Sequence, residues 1–243
     1  FGGKASFIGQ IGLDEFGDLF SKDINNSGVF FEKNIYNASG KTSKSIILVT
    51  PDAERSMNTF LGASIGCNLN SINEHLINNS KLIYIEGYLF DQIEAKKAIF
   101  HCCSLAKSRG VKIALSLSDL FCVDRHRDEF LKLIFEFVDI LFANESAIKS
   151  LFQSNLQDSI TKIKNYVEIG AITLGAKGSF IFKKQNEYNV NSINVKKIVD
   201  TTGAGDLFAS GFLYGLINKL PIEECGILGS KAAAEIITYY GAR

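Results

Sequence analysis

Asp200-Thr201-Thr202-Gly203-Ala204-Gly205-Asp206 leads without a break into Leu207-Phe208-Ala209-Ser210-Gly211-Phe212-Leu213-Tyr214-Gly215-Leu216, whose spacing predicts an amphipathic helix. Two glycines and a carboxylate therefore fall at the first turn of that helix. There, backbone N–H groups without intrahelical partners and the positive end of the helix dipole attract anions. Gly203 and Gly205 let the backbone approach a phosphoryl group and take dihedrals closed to other residues, so that several N–H groups can converge on developing negative charge. Asp206 beside them can take the proton of an attacking alcohol, the general-base role in phosphoryl transfer. Plainer roles fit the same residues: Asp206 as a helix cap, the glycines as a tight turn, the helix as ordinary core. Two phosphate motifs are excluded, because Phe208 stands where a dinucleotide fingerprint has its third glycine and no Gly-Lys-Ser/Thr ends the segment as in a Walker A loop.

The chain around this stretch alternates short apolar runs with helical patterns. Residues 81–87, 111–116, 138–143 and 168–174 suit buried parallel strands, and 91–109, 128–137, 144–153 and 158–166 repeat apolar residues at three and four. That order predicts a parallel sheet covered by helices, with ligands near the carboxyl ends of the strands. Residues 28–62 break the rhythm: Val29-Phe30-Phe31 and Ser45-Ile46-Ile47-Leu48-Val49-Thr50 are β segments, with Asn37, Ser39 and Gly40 between them and Pro51-Asp52 after.

At 243 residues and 46% hydrophobic content the chain can bury one large α/β core, and a single domain is expected. Lys+Arg and Asp+Glu both number 26, which gives no basic field for nucleic acid and favours a small-molecule partner. No apolar run reaches the roughly 18 residues of a membrane span, and Phe1-Gly2-Gly3-Lys4 does not begin a secretory signal. Cys67, Cys102, Cys103, Cys122 and Cys225 are odd in number and lack C-x-x-C spacing, as in a cytoplasmic protein with reduced thiols. His75, His101 and His126 share no ligand spacing with them, so no protein-built metal site is expected.

Asp200 to Asp206 matches every fixed position of the D-T-x-G-A-G-D signature of the ribokinase-like (PfkB) carbohydrate and purine kinases, and the chain resembles that family along its length. The resemblance implies a three-layer α/β/α sandwich with a mostly parallel central sheet and a small β lid within 28–62 that closes over the acceptor. It makes Asp206 the catalytic base, Gly203, Ala204 and Gly205 the anion hole, and ATP with Mg2+ the phosphoryl source. Gly9-Gln10-Ile11-Gly12-Leu13-Asp14-Glu15-Phe16-Gly17 and Gly28-Val29 resemble further family phrases, and Thr173-Leu174-Gly175-Ala176-Lys177-Gly178 resembles the T-x-G-x-x-G loop that borders the nucleotide. Read by itself, that loop is a glycine-rich hairpin between 169–174 and 179–182. The nucleotide contacts implied are thus Asn144, Thr173, Gly175, Gly178 and Thr201. Gly229 and Ala232 join them on the small-residue face of a C-terminal helix, a face that tight helix packing would equally use.

One departure concerns magnesium. The family's N-x-x-E becomes Asn144-Glu145-Ser146-Ala147, so Ala147 replaces the carboxylate, and Glu145 would point about 100° from its helical neighbour. Ala147 also motivates a competing reading, a catalytically weak ligand-binding relative. Residues 48–63, 84–89 and 116–127 look most like bacterial members described as adenosine kinases, which implies a nucleoside acceptor, with a sugar of the ribose or fructose type as the alternative. Arg55 and Asn58 are the implied acceptor contacts along with Asp206, and Tyr88 and Phe121 could stack on a base. Against the family pattern the chain reads as lacking both ends, and the resemblance allows a homodimer through lid strands.

Overall fold

The computed structural model describes residues 1–33 and 40–242; Asn37 and Ser39, invoked above as turn residues, lie outside the described residues. The amino-terminal part holds β1 (Ala5–Phe7), α1 (Glu15–Asn26) and β2 (Val29–Phe31), followed by β3 (Lys44–Val49), β4 (Arg55–Phe60) and α2 (Glu74–Asn78). A regular alternation follows: β5 (Leu82–Glu86), α3 (Ile93–Ser108), β6 (Lys112–Ser116), α4 (Leu120–Glu136), β7 (Ile140–Asn144), α5 (Glu145–Phe152), α6 (Leu156–Ile163) and β8 (Ile169–Thr173). The hairpin β9 (Ser179–Lys183) and β10 (Asn186–Val190) and the helices α7 (Ala204–Ile217) and α8 (Ile222–Ile236) complete the described elements.

Six strands form one sheet in the order β10-β9-β8-β7-β6-β5, with β5 to β8 parallel and β9 and β10 antiparallel. The strands are apolar at successive positions because both faces are covered. On one face Ile113, Leu115, Leu141 and Ile172 pack with Phe130, Leu133, Ile148 and Leu151 of α4 and α5. On the other, Ala114, Ile140, Phe142 and Ala171 pack with Phe208 and Phe212 of α7 and Cys225 of α8. The period of two thus splits neighbouring residues between two cores, which is the three-layer sandwich. Fully burying a side chain such as Phe130 or Phe212 contributes about 1.5–3 kcal/mol.

Helix α7 is buried more extensively than an amphipathic surface helix, because the sheet lies under it and α8 beside it. The two helices close on glycine: a Cβ at Gly211 would lie 2.8 Å from the Leu228 carbonyl oxygen, and one at Gly229 would lie 2.7 Å from that of Phe208. Helix α4 begins well before the expected 128, because the Asp119 side chain accepts from the Cys122 N–H at 2.7 Å and caps it. It bends at His126 (φ −129°, ψ 27°), where Asp91 accepts from Arg125 Nε at 3.0 Å and lies 2.7 Å from His126 Nε2.

Residues 28–62 contain two separate ribbons. Val29–Phe31 pairs in parallel with Ala5–Phe7, where Phe31 packs on Phe7 and Phe20 at ring separations of 5.7 and 5.5 Å. Strands β3 and β4 form their own antiparallel hairpin, with all six residues of β4 exposed. A two-stranded sheet is marginal by itself. This one is tied at its root, where Ala63 N–H donates to the Lys41 carbonyl (2.8 Å), Gly12 N–H to Thr42 Oγ1 (3.0 Å) and Thr42 N–H to Asp14 (3.0 Å). No helix among the described residues is long and apolar enough to cross a membrane.

Candidate active site

The signature loop is built around a buried carboxylate. Asp200 is 2% exposed and accepts from Thr202 N–H (2.8 Å), Thr202 Oγ1 (2.6 Å) and Gly241 N–H (2.9 Å), while Val199 N–H donates to the Ile237 carbonyl at 2.8 Å. The loop is therefore fixed to the end of α8. Burial alone would raise the Asp200 carboxyl, but these hydrogen bonds hold it below the usual range. Gly203 then turns the chain into α7 with φ +79°, and a Cβ there would meet Ala242 at 3.0 Å, so glycine is required twice over. No side chain caps α7, and a Cβ at Gly205 would meet no atom within 4 Å. The N–H groups of Gly205 and Asp206, in the first turn, have no intrahelical acceptor and lie at the positive end of the helix.

Asp206 stands in that first turn, open on one side and walled on the other. Partial burial pushes its carboxyl above the ordinary range, and the Arg55 guanidinium pulls it back. Arg55, at the start of β4, donates to Thr201 Oγ1 and so bridges the hairpin to the signature loop. Asn58 is three residues further along the same strand and faces the other way, so the structure brings Arg55 to the loop and leaves Asn58 on the opposite face.

The wall is the end of β5 and β6, and it holds a group missed from the sequence. Glu86 ends β5 opposite Ser116 of β6, accepts from Tyr84 OH at 2.9 Å and from Ser118 Oγ, and feels the charge of Asp206. Burial, reinforced by Asp206, raises its carboxyl despite those hydrogen bonds. Ser118 has φ +61°, unusual for a non-glycine residue, and its Oγ also accepts from Tyr88 N–H at 3.1 Å. Tyr88 OH donates to Asp119 at 2.9 Å, and Cys122 Sγ donates to the Gly87 carbonyl at 3.2 Å. Residues 84–91 and 116–127 are thereby one unit. Tyr88 is engaged edge-on by Asp119, and Phe121 is 69% exposed.

Further along the carboxyl edge, Asn144 and Thr173 are cross-strand partners and, with Glu145, Ser146, Lys149 and Gly175, line a cavity of about 430 Å³. Gly178 is not among its lining residues; its φ of +92° and a Cβ that would strike the Val190 carbonyl at 2.0 Å make it a turn glycine. The 173–178 segment joins β8 to antiparallel β9, as the hairpin reading had it. Gly229 packs on α7, and Ala232 lines a different cavity of about 410 Å³ with Phe1, Leu207 and Tyr239, so the small-residue face of α8 does not form one surface.

These donor sets do not build a protein-held magnesium site. Among the described residues no three His, Cys, Asp or Glu side chains converge. Asn144 Oδ1 is taken by Ala147 N–H (2.8 Å) and Ser146 Oγ (2.7 Å), and Ala147 is fully buried in the core. Neither offers an oxygen to a cation.

The pfkB family carbohydrate kinase model matches residues 1–243. The chain belongs to this family. Among solved structures, a PfkB-type relative named as a "probable sugar kinase" of Rhizobium etli CFN 42 superposes with a TM-score of 0.96 at 42% identity, covering 100% of this chain and 74% of that one. The adenosine kinase of Sinorhizobium meliloti gives 0.94 at 36% identity, covering 100% and 75%. An uncharacterized sugar kinase of Archaeoglobus fulgidus is 29% identical over 247 residues, which is 99% of this chain and 94% of the relative. PfkB members are kinases that phosphorylate hydroxyl groups of sugars or nucleosides, and this PfkB chain is a kinase acting on an alcohol group.

Two residues that the structure brings to the carboxyl edge of the PfkB sheet, Glu86 and Lys149, carry no motif signal. Glu86 could have been found only by noting that a carboxylate ends an apolar strand run, where the parallel-sheet rule sets ligands. Lys149 reads in sequence as an ordinary i,i+4 partner of Glu145.

Proposed function

We propose that the chain transfers the γ-phosphoryl group of ATP to a primary hydroxyl of a nucleoside, adenosine being the leading acceptor. The observation that carries this reading is the joint placement of Asp206 and the unfilled space over Gly205 at the uncapped start of α7. A phosphoryl group seated there meets the backbone N–H donors of Gly205 and Asp206, the Ala204 N–H being donated to the Thr201 carbonyl, and an acceptor hydroxyl lies beside the Asp206 carboxylate. Asp206 takes the hydroxyl proton as the new O–P bond forms and the bond to ADP breaks. Burial raises its carboxyl against the pull of Arg55, which makes it a stronger base than a solvated aspartate. Arg55 stands where its charge offsets negative charge on the transferred group, and the β3–β4 hairpin that carries it acts as a lid excluding water from the reaction. Magnesium arrives with the nucleotide phosphates, since the residues around Asn144 do not ligate it.

Identity to the Sinorhizobium adenosine kinase along the whole chain supports a nucleoside. A second reading, a sugar acceptor, is favoured by Glu86: a second carboxylate beside Asp206 suits a polyhydroxylated ligand. Transfer of label from γ-labelled ATP to adenosine, ribose and fructose, with the product position assigned by NMR, separates the two. Turnover of adenosine at its 5′ hydroxyl supports the first, turnover of a sugar alone supports the second, and ATP binding without transfer to any alcohol overturns both.

A further inference from the structure

We propose that Lys149 is a cationic contact for nucleotide phosphates, and that Glu145 is the partner it leaves when the nucleotide arrives. The inference rests on reading the cavity beside Asn144 as the place of the nucleotide's phosphates. Its volume of about 430 Å³ is in the range of small-ligand sites, and its lining is drawn from the end of β7, the first turns of α5 and the loop after β8. Its lining carries the Asn144 amide and the Lys149 ammonium beside one carboxylate. Asn144 Oδ1 is doubly occupied by Ala147 N–H and Ser146 Oγ, which leaves the amide Nδ2 to point outward as a donor. The N–H groups of Glu145 and Ser146 at the start of α5 add to this, that of Ala147 being taken by Asn144, and Lys149 brings a full positive charge.

The single carboxylate on the lining is Glu145, whose Oε1 lies 3.5 Å from Lys149 Nζ, with side chains 40% and 46% exposed. An exposed pair one helical turn apart holds weakly. A polyphosphate offers the same ammonium several charged oxygens at once and replaces the single carboxylate. The lysine stem is long and flexible, so the exchange needs no backbone movement. Ala147 gives the exchange its purpose: with no carboxylate at that position to organise a metal ion, a protein ammonium neutralises the phosphates directly.

Calorimetric binding of ATP and of adenosine to the wild-type chain, Lys149→Met, Lys149→Arg, Glu145→Gln and Asn144→Ala, each with excess Mg2+ and again in EDTA, tests this. Lys149→Met is expected to weaken ATP about 10-fold or more in EDTA, by loss of a charge-assisted contact, with adenosine unchanged. Lys149→Arg is expected to retain ATP binding, and Glu145→Gln to tighten it severalfold in EDTA by freeing the lysine. Equal ATP affinity of wild type and Lys149→Met, with ATP weakened in Asn144→Ala, overturns the proposal while leaving the phosphate site standing. Loss of ATP binding in Lys149→Met but not in Asn144→Ala does the reverse, supporting the lysine contact and removing Asn144 from it. If neither variant changes ATP affinity, the cavity is not the phosphate site and the proposal falls with it.

Discussion

Replacing Asp206 by asparagine keeps the shape of the first turn of α7 and removes the base. General-base catalysis contributes about 100- to 10,000-fold, so kcat should fall by that factor, which is about 2.7–5.4 kcal/mol of barrier at 1.36 kcal/mol per tenfold. The same geometry dictates a pH profile. Partial burial raises the Asp206 carboxyl from 3.8 and Arg55 lowers it, so the acidic limb of kcat/KM lies above 3.8, and Arg55→Met should move it further up. The sign for stability is opposite to that for activity. A carboxyl raised by folding contributes most to stability when protonated, and that contribution is lost as pH rises through the raised value. At neutral pH the Asp206→Asn variant should therefore unfold at the same temperature as wild type or a higher one, while being nearly inactive. Steady-state phosphoryl transfer from pH 4 to 9, ATP binding by calorimetry and a thermal melt measure all three. An asparagine variant within about tenfold of wild-type kcat, or an acidic limb that moves down in Arg55→Met, refutes the assignment of the base.

Three further outcomes follow from the loop and its wall. Gly203→Ala forces a left-handed backbone on alanine and sets its Cβ 3.0 Å from Ala242; a loss of about 1–3 kcal/mol, read as a melting temperature lower by roughly 2–4 °C per kcal/mol, and reduced turnover are expected. Asp200→Ala orphans the donors of Thr202 and Gly241 and should cost about 3 kcal/mol in denaturant unfolding. Because the Asp200 carboxyl is held low, its contribution to wild-type stability is present above the ordinary carboxyl pKa and disappears as pH falls through the lowered value, so the difference between the two proteins should narrow in acid. Glu86→Gln should raise the acceptor KM about tenfold or more with ATP affinity unchanged, and an unaltered acceptor KM would remove Glu86 from the acceptor wall.

The sandwich was legible because parallel strands buried on both faces leave contiguous apolar runs, and the four runs at 81–87, 111–116, 138–143 and 168–174 became β5 to β8 within a residue or two at each end. The start of α4 was not, because 120–127 carries Asp124, Arg125, His126 and Arg127, charges whose partners Asp91 and Ser150 lie on other elements. The signature loop announced its glycines but not their division of labour. Gly203 serves a positive φ, Gly205 serves open space, and Gly211 and Gly229 serve the approach of two helices. Arg55 was legible as a polar residue near the lid, yet its partner Thr201 is 146 residues away, and the opposite facing of Asn58 appears only once β4 is known to be a strand. Ala147 read as a lost ligand, and what the sequence could not show is that its methyl is fully buried in the core.

The site is spread along the carboxyl ends of four parallel strands, and that spread explains how one scaffold divides its tasks. Glu86 and Ser116 end β5 and β6 at one side, Asn144 and Thr173 end β7 and β8 at the other, and α7 comes in from the second face of the sheet carrying Asp206. Strands in a sheet are spaced about 4.8 Å apart, so an acceptor over β5–β6 and phosphates over β7–β8 are separated by roughly two strand widths, which is of the order of a triphosphate's reach. The aromatic chain Tyr84, Phe142, Phe212, with ring separations of 6.2 and 5.4 Å, packs β5, β7 and α7 into one rigid block beneath that line. The residues proposed to set the chemistry therefore sit on packed elements, and the β3–β4 hairpin, whose strand β4 is exposed throughout, carries Arg55 at its tip. On the proposed function, closure of that hairpin would change how strongly Asp206 is desolvated and how near Arg55 stands to it, the two influences that set the carboxyl in opposite directions. The basicity of the proposed base would then be coupled to the hairpin, and weakening the Arg55–Thr201 link should alter the pH profile before it alters the fold.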